Sequence, residues 1–234
     1  CYVSFLSSLL RKEEDVSIEG ATEADLDRLQ QYSRFDAFFP REQMLRMYRE
    51  LFAALGFNTD RQSNVEIDSA ARPNKQSRAF YSPIIIPDEI KLAVNLNGGQ
   101  ANYCEFLREA GHVQASAWTS RNLYPEFQIG GDAVIVEAWG LLFENLLLDE
   151  SWLTSTFGFV ENAEFCRALA AFRLMSLRRH VAKLNYEIEF HAGKLSGGAG
   201  KRYVELMTDA VRVRFDDAEC LRDVSDDFRS ASRL

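Results

Sequence analysis

Leu107-Arg108-Glu109-Ala110-Gly111-His112 differs at a single place from the zinc pattern H-E-x-x-H. On a helix, positions 108 and 112 stack on one face. In an intact pattern both are imidazoles on one Zn²⁺, and the glutamate between them takes a proton from the metal-bound water. Here Glu109 and His112 are in place, but the first ligand position holds Arg108. A guanidinium keeps its proton and has no lone pair to give, so Arg108 is not a zinc ligand.

A lone E-x-x-H recurs by chance, so the spacing to a third ligand matters. Residues 130–145 read as a second helix, with Asp132 near its start and Glu137 on it. Glu137 follows His112 by 137 − 112 = 25 residues, a distance that suits a zinc site built on two helices with a carboxylate as third ligand. Glu144 on the same helix is expected to be solvated.

Two further runs, added to the motif and Glu137, bring in a resemblance. Arg72-Pro73-Asn74-Lys75, then Arg78-Ala79-Phe80-Tyr81-Ser82-Pro83, then Arg108-Glu109-Ala110-Gly111-His112 and Glu137-Ala138 together resemble the catalytic region of the thimet oligopeptidase and oligoendopeptidase F family of zinc metallopeptidases. That family's motif is H-E-x-G-H, which Gly111 also fits. The likeness runs from about residue 60 to 190. It implies a zincin-like helical domain with a small β-sheet at the cleft. It also implies His112 and Glu137 as remnant metal ligands, Glu109 at the general-base position, and Arg108 at the substituted ligand position. By the same resemblance, Ala79, Phe80, Tyr81 and Ser82 form a strand bordering the cleft, whose edge can pair with substrate backbone.

The departure falls on the chemistry. A permanent cation at a ligand position repels a divalent ion by several kcal/mol even at an effective dielectric of ~20. The expectation is that Arg108 takes the electrostatic place of zinc, its fork pairing with Glu137 or Glu109 so that no buried carboxylate is left alone. The alternative is that Arg108 swings to solvent beside an empty site.

Bulk properties narrow the remaining classes. The 234 residues are 47% hydrophobic and 26% charged, as in a globular protein with a sizeable core. A net charge of −8 argues against nucleic acid or an anionic membrane as partner. No stretch approaches 18 uninterrupted apolar residues. Cys1, Cys104, Cys166 and Cys220 are far apart and form no C-x-x-C pair, which fits a reducing, cytoplasmic compartment. Cys104 shares the helical stripe of Arg108 and His112, but it lies a turn from the ligand position and reads as a small buried residue. The chain opens without methionine and is expected to be a piece of a longer protein.

Taken in order, helical spacing marks residues 2–14, and Thr22-Glu23-Ala24-Asp25 caps a second helix running through Tyr32 toward Phe38. Pro40 opens a third helix that Gly56 ends. Val65-Glu66-Ile67-Asp68 alternates as a short strand, and Phe80–Ile86 with Ile90–Leu96 reads as a hairpin about Pro87-Asp88-Glu89. The motif helix covers about Ala101 to Trp118, and Gly130 and Gly131 in the following loop give a sharp entry into the Glu137 helix. Trp152, Leu153 and Phe157 mark a helical connector. A long helix begins at Asn162, whose Arg173, Arg178, Arg179 and Lys183 read as a solvated charged face. His180 and His191 stand in no ligand spacing. Ser196-Gly197-Gly198-Ala199-Gly200-Lys201 fails the phosphate-loop pattern and reads as a linker. Arg229 and Arg233 fall near places where the resembling family carries tyrosines that stabilise an oxyanion.

The sequence thus points to a mainly α protein. Residues 1–60 are a helical scaffold, and residues 61–234 are a metallopeptidase-like region continuous with it. The expected function is that of an impaired peptidase homologue, a pseudopeptidase binding no metal and having peptides as candidate partners. The alternative is an active zinc-dependent peptidase for short peptides, its metal site completed from outside.

Overall fold

The computed structural model of the chain describes residues 2–30, 33–129, 133–195 and 198–216. The expectations for Cys1, Tyr32, Gly130-Gly131-Asp132, Ser196-Gly197, Cys220, Arg229 and Arg233 lie outside the described residues. The molecule is mainly helical with one three-stranded sheet. Its contacts fall into two compact units, one of Ser33–Ala163 and one joining Cys1–Tyr32 to Glu164–Leu234. The division therefore runs at 32/33 and 163/164, not at the 60/61 boundary drawn from the sequence. Packing explains it, because the helix after Pro40 presses on the motif helix while the two helices before it join the C-terminal ones.

In the unit of residues 33–163, a 3-10 turn over Arg41–Gln43 leads into α3, Met44–Ala54, while α1 (Tyr2–Glu13) and α2 (Glu23–Gln30) belong to the other unit. The motif helix α4 spans Gly99–Ala117. Tyr48 and Phe52 of α3 are buried, and their rings lie 5.6 Å from Phe106 of α4 and 5.0 Å from Phe143 of α6, Ala133–Glu144. The short α5, Pro125–Ile129, bridges α4 and α6 in sequence. A 3-10 turn over Asn145–Leu148 and then α7, Glu150–Phe157, close the unit, with Asp149 capping α7 by accepting from Trp152 N–H.

Three strands complete the unit: β1, Val65–Asp68; β2, Phe80–Ile85; and β3, Glu89–Ala93. The hairpin is present, with β2 antiparallel to β3, but its second strand ends at Ala93, short of Leu96. β1 pairs with β3 in parallel, Val65 opposite Ile90, which local alternation does not reveal. The order β1-β3-β2 leaves β3 central, with Ile90 and Leu92 buried, and β2 at an edge. The loop between β1 and β2 carries the Arg72 to Lys75 motif. Arg72 grips Asp68 with both Nη atoms at 2.8 and 2.5 Å. The buried Lys75 ammonium donates to the backbone oxygens of Asp68, Ala70 and Val94 and to Asp68 Oδ1, at 2.8 to 3.3 Å. This loop is thus stapled to the sheet by charge-assisted bonds.

In the other unit, α1, Tyr2–Glu13, and α2, Glu23–Gln30, share a core with α8, Ala163–His191, and α9, Ala199–Val211. Leu6, Leu10, Leu29, Tyr186, Tyr203 and Met207 are buried in it. The cap expected at Thr22 is there, Asp25 Oδ2 accepting from Thr22 N–H and Oγ1 at 2.7 Å each. The second helix is described over Glu23–Gln30, and Asp36–Phe38 forms a separate 3-10 turn. Lys201, read as linker, lies in the first turn of α9. The basic cluster on α8 is less solvated than expected. Arg178 donates to Ala210 O and lies over the Tyr2 ring, while Arg179 pairs with Glu23 at 2.7 Å. Among the described residues, no helix is long and apolar enough to cross a membrane.

Candidate functional site

The expected site residues meet where α4 crosses α6 beside β2. Two glycines set the spacing of the helices. A Cβ on Gly111 would stand 2.4 Å from Trp139 O and 2.9 Å from the Phe143 ring. A Cβ on Gly140 would stand 2.7 Å from both Cε1 and Nε2 of His112, and 3.0 Å from Arg108 Cγ. At Gly111 the backbone of α4 lies against the backbone of α6, and at Gly140 the backbone of α6 lies against side chains of α4, so a Cβ at either place forces a neighbour to move.

On α6, Glu137, Gly140 and Glu144 lie at i, i+3 and i+7, one face of the helix. Arg108 reaches this face between the two carboxylates. Its Nη2 lies 3.5 Å from Glu137 Oε2, and its Nε lies 3.5 Å from Glu144 Oε2. Of the two partners expected from the sequence, Glu137 is the one engaged. Glu144, expected in solvent, is only 4% exposed. Its position about one turn after Gly140 carries it beside Arg108, and burial of a carboxylate there calls for a cation.

Glu109 faces the sheet instead. Its Oε2 accepts the Tyr81 amide at 2.8 Å, and Glu105, one turn earlier, accepts the Ala79 amide at 3.4 Å. Amides of alternate residues point to the same side of a strand. On the outer edge of β2 the donor at 79 is thus weakly held, the donor at 81 is taken, and Pro83 has none. The Tyr81 side chain turns onto α4, its hydroxyl 2.7 Å from Ser116 Oγ and its ring 5.9 Å from that of His112. His112 is 7% exposed, and its Nδ1 is buried with no hydrogen-bond partner.

Burial pushes the Glu109 carboxyl above its ordinary value near 4.5, against the pull of the Tyr81 amide and of His112 and Arg108. A carboxyl whose folded pKa lies above its unfolded one takes up a proton on folding, so stability falls as pH rises through the window just above 4.5. Glu109→Gln keeps an acceptor for Tyr81 and deletes this slope. In denaturation series between pH 4 and 8, the variant should therefore gain on wild type as pH rises; a pH-independent difference would contradict this assignment.

Among the described residues, no group of three or more His, Cys, Asp and Glu side chains is placed to hold a metal. Arg108, which the resemblance sets at a ligand position, has its guanidinium 3.5 Å from Glu137. Cys104, expected to be buried, is half-buried, and His180 and His191 belong to α8 in the other unit.

The sequence reading missed Gly140, Glu144 and the Tyr81 amide. The E-x-x-G-x-x-x-E spacing from Glu137 puts the first two on one face with it, but does not tell which way that face points. The third, a backbone group, carried no signal. Comparison of the chain with protein-family models, curated proteins and solved structures gave no match.

Proposed function

We propose that this chain is a non-catalytic relative of the thimet oligopeptidase and oligoendopeptidase F zinc peptidases, a pseudopeptidase with a zincin-like helical domain. An internal ion pair stands in it where those enzymes place a metal. The observation that carries the reading is Arg108 lying 3.5 Å from both Glu137 and Glu144, across the helix crossing that also holds His112. At an effective dielectric of ~20, a divalent ion 4 Å from a guanidinium meets a repulsion of about 8 kcal/mol. Two remaining protein ligands fall short of the three that catalytic zinc sites use.

The same geometry bears on peptides. Strand addition to β2 needs outward amides, and the Tyr81 amide is bound to Glu109 while Pro83 offers none. A peptide pairing with this edge has to displace Glu109. The site is accordingly read as closed, with neither turnover nor strong peptide capture in the wild-type chain.

A panel of internally quenched peptides of five to fifteen residues, incubated with the purified chain and added zinc, tests this directly. The expected result is no cleavage above a Glu109→Ala, His112→Ala control. Cleavage that Glu109→Ala abolishes would overturn the proposal and favour an active peptidase.

A further inference from the structure

The C-terminal ends of α3 and α4 and the approach to β1 enclose a cavity of about 730 Å³ that shares no lining residue with the Arg108 site. Small-ligand sites occupy about 300–1,000 Å³. Its chief apolar feature is the indole of Trp118, 61% exposed at the end of α4. The ring is exposed but fixed. Its Nε1 donates to Gln114 Oε1 at 3.0 Å, and it packs at a tilt on Phe57, ring centroids 5.3 Å apart. Gln114 is buried, and it exchanges two bonds of 3.0 Å with the Gln62 amide and donates to the Tyr48 hydroxyl at 2.8 Å. Both its donors and both acceptor positions are thus filled. An amide saturated in this way cannot turn without losing bonds in a buried network, so one face of the indole stays open to the cavity.

The polar side of the cavity is cationic. In a chain of net charge −8, it is lined by two arginines and no carboxylate. Arg121 is neutralised by Asp88, which accepts from its Nε and Nη2 at 2.8 and 2.5 Å. Arg61 has no ion pair among the described residues, and Asp60 beside it is held by Arg49 at 3.1 Å. Asn58 and Asn122 border the same space, and their side-chain amides make no hydrogen bond among the described residues.

From this pairing of a fixed indole with a free guanidinium, we infer that the cavity binds a small anion carrying a flat ring. The ring lies on Trp118, and a carboxylate or phosphate meets the planar fork of Arg61. Asn58 and Asn122 supply donors and acceptors for the polar atoms of the ring. A cationic ligand would meet Arg61 and no compensating carboxylate. The inference stands apart from the pseudopeptidase reading, because the two sites have no residue in common.

Calorimetric titration of the purified chain tests it with two ring-bearing anions, adenosine monophosphate and phenylacetate. Adenosine and phenylacetamide keep the rings and lack the charge. At least one anion should bind with a dissociation constant below ~1 mM, and its uncharged counterpart at least ~10-fold more weakly. Which anion binds tells phosphate from carboxylate. Arg61→Gln and Trp118→Ala, both at exposed positions, should keep the wild-type circular dichroism and each weaken that binding about 10-fold or more. No binding of either anion, equal binding of charged and uncharged forms, or binding that survives either substitution would each overturn the inference.

Discussion

Gly111→Val is expected to cost the 33–163 unit at least ~3 kcal/mol, the largest stability effect of any single change near the site. The added Cβ alone would sit 2.4 Å from Trp139 O, a backbone atom that cannot rotate away. Forcing extra methyl groups into such a contact costs about 1–3 kcal/mol in ordinary cores, and more where backbone must move. The helices can only separate, which pulls Glu137 and Glu144 from Arg108 and loosens Phe143 from Phe52. The midpoint of thermal unfolding should fall by roughly 10 °C or more. Gly140→Ala should act in the same direction but less strongly, because the nearest atoms there belong to the His112 ring and the Arg108 stem, which are side chains. Unchanged melting of Gly111→Val would mean that the crossing is not as close as described.

Arg108→Met should destabilise by about 2 kcal/mol. Removing one partner of a fully buried ion pair typically costs ~3–5 kcal/mol because the other charge is left unpaired. The discount here reflects side-chain exposure of 39% at Arg108 and 33% at Glu137, where water screens the pair. Glu144, at 6%, is the carboxylate that suffers. Glu144→Gln should therefore recover part of the loss when added to Arg108→Met, and a double-mutant cycle on chemical denaturation reads the coupling. Zero coupling would show that the two side chains lie near each other without holding each other.

These two effects rest on residues of unequal legibility. The E-x-x-H spacing and the 25-residue step to Glu137 were readable because helical stacking is a property of the sequence alone. The helices and the hairpin were readable from their own periodicities, whereas the choice of Glu137 over Glu109 as partner of Arg108 came only with the packing. Glu144 was not readable as buried, since a carboxylate two turns along an apolar helix can face water or a partner until the crossing angle is known. Gly111 fitted a motif, but its partner Gly140 lies on another helix, and only packing joins them. The parallel pairing of β1 with β3 is a long-range choice without local trace. The Tyr81 amide, which occupies Glu109, belongs to the backbone, and no residue code announces it.

The proposed replacement of a metal by the Arg108 cation is tested most directly by zinc content. The purified chain, equilibrated with excess Zn²⁺ and then desalted, should carry less than about 0.1 zinc per chain by elemental analysis, as expected when two remnant ligands face a fixed guanidinium. Arg108→His, treated alike, should approach one. Stoichiometric zinc on the wild-type chain, lost on His112→Ala, would contradict the account.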